Sequence, residues 1–288
     1  MATQMRSDCK QGSDIRRDSR VLPSRPRTWV QTTMRNEADP LSEGITEEIA
    51  SAAVNTLKSK EAEELRTRNK IDPTTGGFLC FPGVSTVCDI PGSDEGALSR
   101  LPEVIRAQAL LGRCFSPLPP ASYHATVLDI HCQYILGLSD KAHAELLRGP
   151  QWAAAAQDIV AADFRPRLRP RPGGLLVNAT CISVELVPCG DDTPAHPRDW
   201  PLGQKLASDL SVQPQRHPWH FGLAYCHRPS EFQAADASVV EAESAALEAA
   251  VAAAVSDGVA LAMGPARLCR FEDMTAFVPW DGSTPVSL

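Results

Sequence analysis

Ser122-Tyr123-His124-Ala125-Thr126-Val127-Leu128 is the stretch on which the fold turns. Its counterpart is Trp219-His220-Phe221-Gly222-Leu223-Ala224-Tyr225, with the histidine 96 residues further on. Each is a histidine inside an apolar run of good strand formers. Side chains of a strand alternate between its faces. His124 and Thr126 therefore share one face, with Tyr123, Ala125 and Val127 on the other. His220 and Gly222 likewise share a face, opposite Phe221 and Leu223. Two such strands can set two imidazoles across a cleft, and by the same parity Tyr123, Trp219 and Phe221 are core candidates.

Working outward, residues 78–81 and 84–90 read as short strands around Pro82-Gly83, after a turn cluster at Asp72-Pro73-Thr74-Thr75-Gly76-Gly77. Leu98, Leu101, Ile105, Ala109 and Leu110 approximate helical spacing, so a helix over 98–111 is expected, with Pro102 in its first turn and Gly112 at its end. Residues 139–161 read as helix interrupted near Gly149-Pro150. Residues 175–188 read as one long strand, and 200–210 as a helix. The alanine-rich segment 232–256 is the strongest helix, and 266–278 holds one or two strands broken at Glu272-Asp273. This order predicts an α+β protein of two lobes facing each other across a sheet-lined cleft, with a motif strand in each. At the N-terminus, residues 1–40 are rich in Arg, Asp, Ser and Pro and are expected to form a disordered arm. Residues 41–70 carry a helical stripe, and the domain proper spans 71–288.

H-x-T followed by an apolar residue, and then H-apolar-x-L about a hundred residues later, resembles the two-histidine phosphoesterases. That superfamily includes RNA 2′,3′-cyclic phosphodiesterases and RNA-ligase-like proteins. The residues that carry the resemblance are His124-Ala125-Thr126-Val127 and His220-Phe221-Gly222-Leu223, in the context of residues 118–124 and 270–279; it covers roughly residues 71–280. It implies a bilobal fold of two facing sheets with outer helices, and hydrolysis of a cyclic phosphate or phosphodiester of nucleotide or RNA-end type. Gly222 departs from the family pattern, which has Thr or Ser there.

Composition sets the outer limits. The chain has 288 residues, 43% hydrophobic and 22% charged, ordinary for a globular protein with a sizeable core. A net charge of −7 argues against a long basic track for duplex DNA, which needs many phosphate contacts. A small phosphorylated ligand, a nucleotide or an RNA end needs only a few local groups. Nine scattered cysteines with no C-x-x-C pair fit free thiols in a reducing, cytoplasmic compartment. The first twenty residues lack the apolar core of a signal peptide, and no run is long enough to span a membrane. The oligomeric state is left open.

Phosphodiester cleavage needs a base to activate the attacking oxygen and an acid to protonate the leaving one. Imidazole, with a pKa near 6.5, suits both roles. His124 and His220 are the candidate acid and base, and the Thr126 hydroxyl is placed to donate to a phosphate oxygen. Gly222 offers no second hydroxyl, so Tyr225, a backbone N–H or water must replace it, or the glycine makes room for a bulkier ligand. His131, His143, His196, His217 and His227 are expected on the surface or in loops, the last two flanking the second motif. Arg165, Arg167, Arg169 and Arg171 suit a solvated loop or a phosphate-facing arm. Adjacent carboxylates such as Glu272 and Asp273 point to opposite faces of a strand, and the scattered Cys and His lack zinc-site spacing. Neither metal nor cofactor is expected. Two rivals stand beside the phosphoesterase: a non-hydrolytic module binding a phosphorylated ligand or a protein, and a cleft turned to unrelated chemistry.

Overall fold

Strand β1 (Gly83–Asp89) is buried along six of its seven residues and lies in the interior of a sheet. It pairs antiparallel with β3 (His124–Cys132) on one side and with β7 (Arg267–Phe271) on the other. β7 in turn pairs with the short β8 (Val278–Pro279), completing a four-stranded antiparallel sheet in the order β3-β1-β7-β8. A second four-stranded antiparallel sheet runs β2-β6-β5-β4, built from β2 (Phe115–Pro117), β6 (His220–Cys226), β5 (Cys181–Pro188) and β4 (Leu168–Val177). This computed structural model describes residues 70–93, 95–132, 138–255 and 260–283. The arm at 1–40 and nearly all of the helix at 41–70 lie outside the described residues.

Helices cover both sheets. α1 (Leu101–Ala107) packs on β2 and β6, and α7 (Ala237–Ala254) packs on α1 and β4. α4 (Gln151–Ala162) packs on β7 and on α5 (Pro201–Asp209), which also meets β3. The described residues also hold the shorter α-helices α2 (Leu111–Cys114), α3 (Asp140–Leu146) and α6 (Pro229–Gln233). The molecule is therefore α+β, with a pair of helices against each sheet. Tyr123, Trp152, Trp219 and Phe221 are all fully buried. No helix among the described residues is long and apolar enough to cross a membrane.

Four elements differ from the sequence expectation; the first is the strand expected at 78–81, where only Phe78 pairs, in an isolated bridge with Ile71. The helix over 98–111 is broken, since Gln108 turns extended (ψ 141°) and the chain restarts as α2. Gly112 sits inside α2 rather than ending the helix; a Cβ there would lie 2.4 Å from the Arg106 carbonyl oxygen, so the turn closes only around glycine. The expected long strand at 175–188 is a hairpin of β4 and β5. The Asn178 side chain accepts from the N–H groups of Thr180 (2.8 Å) and Cys181 (3.0 Å) and closes the turn. The alanine-rich helix starts later, at Asp236, whose carboxylate caps the Ser238 N–H at 2.8 Å.

Candidate functional site

The two motif strands lie against each other, and the Leu118 N–H, just beyond β2, bonds the Leu223 carbonyl at 2.8 Å and extends the pairing of β2 with β6. His124 and Thr126 are half-buried while Ala125 and Val127 are buried; His220 and Gly222 are half-buried while Phe221 and Leu223 are buried. The alternation is the one the sequence predicts. Behind the motifs, the Tyr123 and Phe221 rings pack with centroids 5.7 Å apart.

Both imidazoles are fixed in the same way. His124 Nδ1 lies 2.7 Å from the Ser122 carbonyl oxygen, and His220 Nδ1 lies 2.8 Å from that of Pro218. A carbonyl can only accept, so Nδ1 carries the hydrogen in each ring. The neutral form then keeps its lone pair on Nε2. Burial pushes the His124 pKa down to about 4, opposed by the bond to Ser122; His220 lowers it further, Asp129 raises it and Lys70 lowers it. The two histidines thus act on each other electrostatically, and His124 is neutral at physiological pH.

Bulges bring two more side chains onto these faces. Thr126 pairs with Val87 and Leu128 with Thr86, leaving Val127 unpaired, so Asp129 returns to the His124 face opposite Ser85. In β6, Gly222 pairs with Ser183 and Ala224 with Ile182, leaving Leu223 unpaired, so Tyr225 returns to the His220 face. The two motifs therefore present matching sets: His124, Thr126 and Asp129 on one strand, His220, Gly222 and Tyr225 on the other. Regular alternation would have turned both Asp129 and Tyr225 away. Asp129 accepts from Ser85 Oγ (3.4 Å) and Gln215 Nε2 (3.3 Å).

Further groups surround the pair. The Phe277 ring lies 3.9 Å, centroid to centroid, from that of His124, and Phe271 lies 5.0 Å behind it. Glu185 is the cross-strand partner of His220 and receives Arg171 Nη1 at 2.8 Å. Of the arginine series, Arg171 thus reaches the rim beside a motif histidine, and Arg165 bonds Asp163 instead. Lys70, assigned by sequence to the end of the N-terminal helix, opens a small hairpin in which Ile71 bridges Phe78 and the Leu79 N–H bonds the Lys70 carbonyl. Its Nζ stands 3.4 Å from the Tyr225 hydroxyl. Asp129, Lys70, Glu185 and Phe277 escaped the sequence reading. Only Glu185 had a signal there, its parity within the strand at 175–188.

Four of the other five histidines lie elsewhere. His143 is buried rather than on the surface, and His131 lies on the outer face of its sheet against Trp152 (5.4 Å). His227, also buried, is 3.2 Å from Ser116 Oγ. His196 accepts from the Arg198 N–H, while the His217 ring lies 6.0 Å from that of His220. Asp273 closes a turn by accepting from Thr275 N and Oγ1, both at 2.6 Å. Among the described residues, no three His, Cys, Asp or Glu side chains converge as metal ligands would.

By fold and site, this is an α+β protein with paired histidines on adjacent strands of two antiparallel sheets. No protein-family model matches the chain, and no curated protein matches it. Among solved structures it is similar to a conserved protein of unknown function from Agrobacterium tumefaciens str. C58. The identity is 16%, over 73% of this chain and 89% of that one, with a TM-score of 0.46.

Proposed function

We propose that the chain is a metal-independent phosphoesterase with the bilobal architecture of the two-histidine superfamily, hydrolysing a cyclic phosphate or phosphodiester of a nucleotide or RNA end. The observation that carries this reading is the matched tethering of the two imidazoles. Each Nδ1–H is fixed to the carbonyl two residues upstream, which leaves each Nε2 for chemistry. His124, neutral by burial, is the base: its Nε2 takes the proton of a water whose oxygen attacks phosphorus. As the bond to the leaving oxygen breaks, His220 delivers a proton from Nε2 to that oxygen. Acid–base groups of this kind contribute about 10²–10⁴ in rate each. Thr126 donates its hydroxyl to a non-bridging oxygen, where negative charge accumulates in the transition state.

Gly222 favours a second reading, a cleft that binds a phosphorylated ligand without cleaving it. The atom nearest a Cβ at that position is Leu118 Cδ1, at 3.4 Å, so the glycine leaves space as well as removing a donor. A screen of 2′,3′-cyclic nucleotides and cyclic-phosphate oligonucleotide ends separates the two. Turnover abolished by His124→Ala and by His220→Ala, in folded variants, supports the enzyme. Binding without turnover supports the module. Wild-type rates in either variant would overturn the acid–base assignment.

A further inference from the structure

Lys70 is the feature of the cleft that the two-histidine chemistry leaves unused. Its hairpin is tied to both sheets. The Phe81 N–H bonds the Glu272 carbonyl at 2.7 Å, just beyond β7, while Ser116 Oγ on β2 donates to the Gly76 carbonyl at 2.7 Å. The Asp72 carboxylate closes the turn by accepting from the Thr74 N–H at 2.7 Å. The ammonium that this bridge delivers sits between two aromatic rings, 5.2 Å from the Phe81 centroid and 4.8 Å from that of Tyr225. Its direct polar partner is the Tyr225 phenol. Asp129 lies in its field but is itself hydrogen-bonded to Ser85 and Gln215.

Burial works against the charge on Lys70; Tyr225 and Asp129 outweigh it and hold the pKa above the ordinary value. The group is a fixed cation. Lys70 is half-buried, and its direct contact is to a neutral hydroxyl rather than to an opposite charge. The same cation acts on His124. From this we infer that Lys70, with the Tyr225 hydroxyl, is an anion-binding pair of the cleft that takes a phosphate oxygen of the ligand. It supplies charge on the side where Gly222 leaves no hydroxyl. The inference rests on the phosphoesterase reading for the nature of the ligand, though not for the existence of an anion site.

The test is calorimetric titration of inorganic phosphate into the full-length wild type, Lys70→Met and Lys70→Arg, each first checked for an unchanged melting temperature. Loss of one charge-assisted contact predicts binding about ten- to a hundredfold weaker in Lys70→Met. Lys70→Arg, which keeps the charge, should bind phosphate more tightly than Lys70→Met. Equal affinity of wild type and Lys70→Met would overturn the role of Lys70 and leave the phosphoesterase reading standing. Equal loss in both variants would overturn a role based on charge. No phosphate binding by the wild type at millimolar concentration would overturn this inference, while turnover of cyclic phosphates still decides the reading beneath it. Should Lys70→Met fail to fold, Lys70→Gln takes its place with the same expectation.

Discussion

At the level of single residues, the two histidine triplets differ in the hydroxyl present at Thr126 and absent at Gly222. A hydrogen bond to a charged group is worth about 1.5–3 kcal/mol. Gly222 occupies ordinary strand backbone, and a Cβ there would make only van der Waals contact with Leu118. Gly222→Thr should therefore fold as well as wild type and raise kcat/KM about tenfold, the lower end of that range. Unchanged kinetics at equal melting temperature would show that position 222 does not face the phosphate. A weaker affinity would show that the glycine makes room for ligand. The pH profile tests His124 separately. With its pKa pushed down to about 4, it stays a competent base well below the 6.5 of a free imidazole. The acid limb of kcat/KM should accordingly bend near pH 4 and fall tenfold per unit below it. A bend near 6.5 would mean that another group is the base.

The elements were legible where one rule decided them and hidden where two competed. His124, Thr126, His220 and Gly222 followed from strand alternation alone, because their partners are buried apolar residues. Asp129 and Tyr225 did not, because bulges at Val127 and Leu223 reverse the parity, and a bulge is fixed by the partner strand rather than by its own sequence. Lys70 was hidden for a similar reason: its position is set by a hairpin bonded to both sheets. The break between α1 and α2 is a third case. Nothing in residues 98–114 requires it, but Glu243 on α7, far along the chain, accepts from the Leu110 N–H at 3.0 Å and the Leu111 N–H at 2.8 Å. These are N–H groups at the start of α2 that would otherwise lack an acceptor. Glu243→Ala removes both bonds and leaves two buried residues with unsatisfied donors, which should cost about 1–3 kcal/mol. Urea unfolding measures it, and Glu243→Gln should recover part of the loss. A change below about 0.5 kcal/mol would mean that water replaces the carboxylate.

Across the whole molecule, the same burial that keeps His124 neutral creates an acid sensitivity, and His131 shares it. This residue joins three parts of the fold: it lies on β3, its ring is 5.4 Å from Trp152 on α4, and Trp152 packs 5.8 Å from Trp280, just beyond β8. Its Nδ1 is buried without a hydrogen-bond partner. Burial, followed by the charge of His143, pushes its pKa down to about 4. In the unfolded chain the value returns to about 6.5. Between these limits the unfolded state binds a proton that the folded state does not, so stability is complete above pH 6.5 and is lost as the pH falls toward 4. From pH 7.5 to pH 5 the linkage amounts to about 2 kcal/mol for this one residue, a large share of a typical total of about 5–15 kcal/mol. His124, whose pKa is pushed down to about 4 as well, adds a term of the same sign. His131→Phe keeps an aromatic ring against Trp152 and removes the titration. Urea unfolding at the two pH values should show a drop in wild-type stability that shrinks by about 2 kcal/mol in the variant, provided both proteins are two-state. An equal drop in the two would place the acid sensitivity elsewhere, with the other titrating groups of the core.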